Sequence, residues 1–371
     1  MLYATHARVN LGAIRDNLQA IRTRVGSRAV LAAVKANAYG HGAVAVSRMI
    51  QVTGAADMLG VATVPEALEL RDAGITRPIL KLSHCFPGEV QAAVEAGIAL
   101  TVVDEPTVRA ASAAAVTTGR TTEVHLKIDT GMRRIGAEPA VAPRLAALIE
   151  TLPGLELVGL MTHLPASDDP ADDEATQAQL ATFTTTVDAI HAEIGRTVPY
   201  VHAANSGAVL AHPDAYGTLV RPGIMIYGHY PGPETARTVE LTPALELVTR
   251  VSFVKRVAAG DSVGYGRTWR ASHETTIATI PAGYADGFSR LGSNRAYALV
   301  NGRRYQVAGR VCMDQTMLDL GDDPVTIGDE VVLIGRQGDE EITMTEVADL
   351  MGTIPYEVPC LIPARVTRVY A

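Results

Sequence analysis

The 371-residue sequence is short of lysine and aromatic residues, and it has no long apolar run. Only four of its 32 basic residues are lysine, at positions 35, 81, 127 and 255; arginine supplies the other 28. Aromatics make up 5%, and the formal charge is −8 without any Lys/Arg run. A polyanion-binding surface needs clustered cations, so no nucleic-acid partner is expected. No apolar stretch reaches the roughly 18 residues that suggest a membrane span, and the opening MLYATHAR lacks the charged-then-apolar order of an export signal. Cys85, Cys312 and Cys360 are odd in number and form no CxxC pair. That pattern fits a reducing compartment and provides neither a disulfide framework nor a zinc knuckle. The expectation is a cytoplasmic protein without a metal, acting on small molecules and contacting neither nucleic acid nor membrane.

Apolar residues at 47% against 19% charged are enough to bury a sizeable core, and the length exceeds the size at which one core usually stops growing. Two domains are therefore expected. Short apolar runs at 29–35, 57–63, 78–82, 98–103, 123–129, 156–163, 199–204 and 219–227 read as strands. Between them lie alanine-rich helical stretches at 65–74, 87–97, 105–119 and 174–195. Pro65, Pro87 and Pro106 stand near helix starts, and Gly74, Gly97, Gly119 and Gly195 follow the ends. Eight strand-helix units predict an α/β fold, a (β/α)8 TIM-type barrel over residues 1–238. Beyond that point valine-, threonine- and glycine-rich segments predict a mainly antiparallel β-domain over 239–371. Residues 1–10 either pair with this second domain or lead into the first helix.

All four lysines sit inside apolar runs: VLAAVK, PILKLS, EVHLKID and VSFVKRV. A desolvated ammonium loses hydration, so a buried lysine has a lowered pKa and becomes available as a base or amine nucleophile. A stem packed on the sheet with its head in solvent is the ordinary alternative, and Lys81 and Lys255 are given that reading.

Active sites of barrels form at the C-terminal strand ends. Lys35 ends the first strand, Lys127 and Asp129 the fifth, His163 the sixth, and Asn205 and Ser206 the seventh; Arg221 lies in the eighth. Several polar residues converging on one rim are hard to explain by packing alone, because each is costly to desolvate without a partner or ligand. The Ser206 hydroxyl and the amides near Ser206, Gly223 and Ile224 suit a phosphate. A phosphate grip facing a strand-end lysine is the minimum needed to hold pyridoxal phosphate.

The motifs AVKANAYGHG (33–42), HLKIDTGMRRIG (125–136), HAANSGAVL (202–210), RPGIMIYG (221–228), VGYGRTW (263–269), GYADGFSR (283–290) and VCMDQTMLD (311–319) resemble those of the alanine racemase family over most of the chain. The resemblance implies an enzyme, a pyridoxal 5'-phosphate-dependent amino-acid racemase (an isomerase) of fold type III. It also implies a homodimer in which the β-domain completes the partner subunit's active site. Lys35 would carry the cofactor as a Schiff base, with Tyr39, Ser206, Gly223, Ile224 and Tyr356 around its phosphate and Asn205 also among the cofactor-binding residues. Arg221 would meet the pyridine nitrogen and His163 would lie beside it. Lys35 would take the α-proton of D-alanine, and Tyr265 of the partner that of L-alanine. Arg134 would hold the cofactor's phenolic oxygen and the substrate, and Met313 the substrate carboxylate; Tyr284 would line the channel through which substrate enters. In many members the lysine matching Lys127 is carbamylated; an ordinary salt bridge to Asp129 is the alternative. The implied role is supply of D-alanine for peptidoglycan.

A guanidinium has a pKa above about 12 and cannot give its proton to the ring, which disfavours side reactions and suits rapid return of a proton. A fold-type III decarboxylase should carry an acid where this chain has Arg221. A barrel-only cofactor-binding protein would need neither Tyr265 nor Met313. A serine racemase is nearer, because one hydroxyl changes selectivity only modestly. Cys312 reads as a buried packing residue of a strand, and His41 as a loop residue supporting the cofactor's surroundings. Arg133 beside Arg134, and Pro165 after His-Leu, depart from the commoner family pattern.

Overall fold

The structure is a computed structural model in which residues 3–371 are described. The chain divides into two compact units: Ala13–Thr242, and the residues up to Gly12 together with Pro243–Ala371.

The first unit is built on eight strands. Counting the leading strand His6–Val9 as β1, they are β2 (Ala29–Ala33), β3 (Met58–Val61), β4 (Ile79–His84), β5 (Ala99–Val102), β6 (Thr122–Lys127), β7 (Leu155–Met161), β8 (Tyr200–His202) and β9 (Leu219–Val220). All neighbours are parallel, in the order β8-β7-β6-β5-β4-β3-β2-β9. The ends of that path are joined by Thr218 N donating to Val201 O and Arg221 N to Ala204 O, each 2.9 Å, which brings the sheet close to a closed barrel. Leu31, Met58, Leu80, Ala99, Met161 and Leu219 meet in one buried cluster and fill the interior. Helix starts follow the local chemistry: Thr63 and Glu66 form a capping box, and the Asp104 side chain accepts from Thr107 N.

Seven of the eight strands are shorter than their apolar runs, and at the last and the first the cause is local. The run at 219–227 keeps strand form only through Val220, because Pro222 has no N–H for the ladder and Ile224–Tyr227 turns into a 3₁₀ helix. The run at 29–35 stops at Ala33, after which Ala36, Asn37, Ala38 and Tyr39 all take left-handed φ between 51° and 53°. Such a conformation costs roughly 1–2 kcal/mol per residue. It is held by Ala38 N to Val34 O (2.8 Å), Ala36 N to the Glu66 carboxylate (2.7 Å) and Ala43 N to Asn37 Oδ1 (2.8 Å).

Lys81 does not follow the solvent-facing reading. It is 2% exposed, with its ammonium 2.6 Å from His84 O, 3.2 Å from Ser83 Oγ and 3.8 Å from the Glu89 carboxylate. Carbonyls at the end of β4 replace its water. Lys255 is exposed.

The second unit is mainly antiparallel. Strand β1 pairs antiparallel with Leu245–Arg250 and parallel with Thr367–Tyr370 in a seven-stranded sheet, and then leads into the helix Leu11–Val25. Phe253–Val257, Thr275–Ile280 and Thr316–Gly321 form a separate three-stranded sheet. A helix, Met344–Met351, capped by Thr343, adds to the strands expected there. Among the described residues no helix is long and apolar enough to cross a membrane, and no group of His, Cys, Asp or Glu could hold a metal ion.

Candidate active site

At the C-terminal rim of the barrel the chain places Lys35, Lys127, His163, His202, Ser206 and Arg221 at or just beyond strand ends. Arg221 organises this rim. It is 6% exposed, and its four terminal N–H groups are used within the barrel. Nη1 donates to His202 Nδ1 (2.9 Å) and His202 O (2.8 Å); Nη2 donates to Thr162 O (2.7 Å) and Ala203 O (3.0 Å). Every one of these acceptors is neutral. Burial lowers the Arg221 pKa to about 10, so the guanidinium stays charged at neutral pH. Among the described residues none accepts from its Nε–H, which remains for a ligand.

His163 lies with Nδ1 3.5 Å from Arg221 Nη2. Burial, then the charge of Arg221, hold its pKa well below the usual histidine value, so it is neutral. With Nδ1 facing a donor, its proton belongs on Nε2.

Lys127 is 4% exposed. Burial first, then repulsion by Arg221 and Arg134, brings its pKa down to about 7, and Asp129 offsets only part of this. The salt bridge to Asp129, the alternative to carbamylation, is not formed among the described residues. The Asp129 carboxylate instead accepts from the amides of Gly131 (2.9 Å) and Arg133 (3.0 Å). Arg134 is exposed, close enough to act on Lys127 and His163 through its charge. Arg133 takes a left-handed φ of 57° and pairs with Glu138 at 3.0 Å, so the second arginine of the motif is neutralised at the surface.

The anion-binding end is a narrow cradle. Gly223 N donates to Ser206 Oγ at 2.8 Å. A Cβ on Gly223 would come within 2.6 Å of Tyr39 Oη and 3.8 Å of Ser206 Oγ, so only glycine leaves room there. The first amides of Ser206–Ala211 and of the 3₁₀ turn at Ile224 have no acceptor within their own turns. Asn205 joins two segments beside this cradle. Its Oδ1 accepts from Ser167 Oγ (2.6 Å) and Ala208 N (3.1 Å), and its Nδ2 donates to Leu164 O (2.9 Å), so it ties the 164–168 loop to the helix start. His41 is buried, stacked on Tyr227 at 4.4 Å, with Nδ1 2.8 Å from Tyr39 O.

These features fit pyridoxal phosphate: a strand-end amine at Lys35, a glycine cradle with hydroxyls, and a buried guanidinium with one unclaimed donor.

The other expected residues lie in the second unit. Tyr265 opens a turn between Gly264 and Gly266, both at positive φ, and is 72% exposed. It lines a cleft of about 790 Å³ with Tyr284, Met313, Arg290, Arg310 and Asp314. Met313 is 53% exposed, and its loop is clamped from behind: Met313 O accepts from Ala285 N at 3.0 Å, and Arg365 bridges Asp286 (2.8 Å) and Asp314 (2.7 Å). Cys312 is not a buried strand residue; it lies half-buried in the turn before Thr316–Gly321, where its N–H donates within the turn to Gln315 O (2.9 Å) and its carbonyl accepts from Tyr284 N (3.0 Å). Tyr356 is half-buried just before the short helix Glu357–Cys360. Arg290, Arg310, Asp286 and Arg365 were not singled out from the sequence. Arg290 and Asp286 stand inside GYADGFSR, but charge at a loop is too common a signal to have marked them.

The fold and sequence agree with one set of relatives. A model of the alanine racemase N-terminal domain matches residues 9–231, and one of the C-terminal domain matches 244–370. An alanine racemase from Cutibacterium acnes is 50% identical over 367 residues, spanning 99% of this chain and 97% of the relative. One from Symbiobacterium thermophilum is 44% identical over 99% of this chain and 97% of its own length. Among solved structures, the Clostridium difficile alanine racemase superposes with a TM-score of 0.95 at 35% identity, covering 100% of this chain and 96% of the other. A Bacillus anthracis alanine racemase with bound L-Ala-P gives 0.92 at 38%, covering 100% and 96%. The chain belongs to the alanine racemase family.

Proposed function

We propose that the chain interconverts L-alanine and D-alanine with pyridoxal 5'-phosphate held on Lys35, as a homodimer in which each barrel receives Tyr265 and Met313 from the other copy. When bound, the cofactor withdraws electrons from the amino acid and acidifies its Cα–H. The chain's own groups would do the rest. Ser206, Tyr39 and the amides of Gly223 and Ile224 would hold the phosphate, Tyr356 being added by the family resemblance; Asn205 fixes the 164–168 loop to the helix start. Arg134 would orient the phenolic oxygen and the substrate, and the Met313 amide the carboxylate.

The observation that carries this reading is the setting of Arg221. Among the described residues it faces only neutral acceptors and its Nε–H is unclaimed, so it would offer the pyridine nitrogen a donor that stays bound to its own proton. A decarboxylase benefits from a protonated ring and an acid at this place. With the ring left neutral, proton removal and return at Cα are favoured over deeper electron withdrawal.

Two bases are needed on opposite faces of Cα. Lys35 Nζ would take the proton of D-alanine, and the Tyr265 phenolate that of L-alanine. Free tyrosine titrates near 10, so the phenolate needs help, and the Nε2–H of His163 is the donor assigned to it. Lys127, with a pKa of about 7, holds a substantial neutral fraction at physiological pH. A neutral amine is the form that adds carbon dioxide, and the resulting carbamate would pair with Arg134. Tyr284 would line the access channel. The cysteines all remain thiols, which supports a cytoplasmic setting, and we assign the product to peptidoglycan supply.

The test is to incubate the purified enzyme with each alanine enantiomer in deuterated water. Racemisation with α-deuterium uptake and no carbon dioxide is expected; carbon dioxide release would overturn the reading. Borohydride reduction followed by peptide mapping should place the cofactor on Lys35, and a label on Lys81 would contradict it.

A further inference from the structure

Two buried imidazoles behind Arg221 have no part in the steps above. His202 and His125 are both fully buried, with His202 Nε2 2.9 Å from His125 Nδ1, and His125 Nε2 has no hydrogen-bond partner among the described residues. Burial first, then Arg221, pushes His125 down to about 3, and the same causes hold His202 well below the usual value. Both rings are therefore neutral, with one proton each.

Their protons can be placed by elimination. A guanidinium only donates, so His202 Nδ1, which faces Arg221 Nη1 at 2.9 Å, must be bare. The His202 proton is then on Nε2 and is donated to His125 Nδ1. That leaves the His125 proton on Nε2, the atom without a partner. The chain of donors runs one way, from Arg221 through His202 to His125, and ends in a buried N–H that no group among the described residues accepts.

Three features show what this arrangement costs the barrel. An unsatisfied buried donor is unfavourable by the full desolvation of that group. A Cβ on Gly159, in the neighbouring strand β7, would overlap the His125 ring, so the barrel gives up a side chain there. The β6–β7 ladder also shifts register between Val124 and His125. The ring stacks on Tyr200 with centroids 6.0 Å apart, and its Nδ1 is the acceptor that His202 Nε2 has; an apolar residue at position 125 would leave that buried N–H unsatisfied instead.

We infer that His125 is a positioning residue: by accepting from His202 Nε2 it fixes the tautomer that presents His202 Nδ1 to Arg221, and so holds the guanidinium with its Nε–H directed at the pyridine nitrogen. Without that acceptor His202 can move its proton to Nδ1, which sets N–H against N–H and releases Nη1. The inference rests on the reading of Arg221 as the group at the ring nitrogen.

The test uses holoenzyme labelled with 15N-histidine, comparing wild type, His125→Met and His125→Gln. Nitrogen NMR of the wild type should show one tautomer at His202, bare at Nδ1 and protonated at Nε2. In His125→Met that signal should split or exchange. The ratio of cofactor lost to abortive transamination per racemisation should rise about tenfold, the scale of one misdirected hydrogen bond to a charged group. His125→Gln, whose side-chain oxygen can accept, should restore both readouts. A wild-type His202 protonated at Nδ1, or a folded His125→Met protein with unchanged tautomer and ratio, would overturn the inference. Absence of racemisation in the wild type would instead overturn the proposed function while leaving the tautomers to be read independently.

Discussion

The barrel rim and the Tyr265–Met313 face of the second unit hold their functional groups in opposite ways. At the rim, Arg221 is sealed by four acceptors, Lys127 is buried, and Gly223 fits against Tyr39 with no space to spare. On the other face Tyr265 is 72% exposed and Met313 53% exposed, and only the loop beneath Met313 is clamped. A group whose electrostatic state must be fixed is buried among its partners. In the proposed homodimer, a group that serves the second subunit must be presented, and its surroundings would be completed only on association. Substitutions in the two regions should therefore fail differently.

The largest difference is expected between Lys35→Ala and Tyr265→Phe. The first should abolish covalent cofactor capture and racemisation together. The second should keep the bound cofactor's absorbance and lose about 10²- to 10⁴-fold in turnover, the usual contribution of one acid-base group. Mixing the two inactive variants sharpens the contrast. If the sites are shared between copies, reassociated subunits regain part of the activity; no recovery after exchange shown by mass would break the shared-site reading.

Glycine substitutions probe packing. Gly159→Ala forces a methyl group into the His125 ring and should destabilise the barrel by about 1–3 kcal/mol or more. Gly266→Ala only asks a non-glycine residue to adopt φ 71° beside the flexible Arg310 side chain, an effect of about 1 kcal/mol. Urea titration of both variants checks the order, and equal losses would contradict it.

Lys127 gives a pH test. Its folded pKa of about 7 lies below the unfolded value near 10.4, so in the unmodified protein the unfolded state binds more protons between these limits. Stability should rise with pH through that window relative to Lys127→Met, and the penalty should be fully present below pH 7. Carbamylation removes the amine and should flatten the slope. Denaturation curves with and without bicarbonate, together with 13C-bicarbonate NMR, check both statements.

The smallest effect is expected at the clamp under Met313. Asp314→Asn should raise the KM for alanine a few-fold with little change in turnover, since the exposed half of the clamp, Arg365–Asp314, is an ion pair that contributes about 0–1 kcal/mol. Steady-state kinetics in both directions measures it.

Most of the barrel was legible because its strands are short apolar runs between proline-started, glycine-ended helices, and polar residues at their ends stood out against that background. Strand limits were less so. Pro222 cut the last run to two residues, and the left-handed turn after Val34 has no glycine until Gly40 to announce it. Lys81 was misread because nothing in PILKLS shows that carbonyls of Ser83 and His84 will surround its ammonium. His125 stood two residues before Lys127 on the same strand, the one hint that it shares the inward face. Its bond to His202 joins positions 77 apart and exists only once the strands are side by side. The role proposed for Tyr265 came from motif resemblance alone, since an exposed tyrosine in a glycine turn carries no chemical signature by itself.

The most direct test of two bases on opposite faces is solvent deuterium entry at Cα, followed separately from L-alanine and D-alanine in Tyr265→Phe holoenzyme. Exchange from D-alanine should persist near the wild-type rate while exchange from L-alanine falls by the factor seen in turnover. Equal loss from both enantiomers would contradict the assignment of Lys35 and Tyr265 to separate faces.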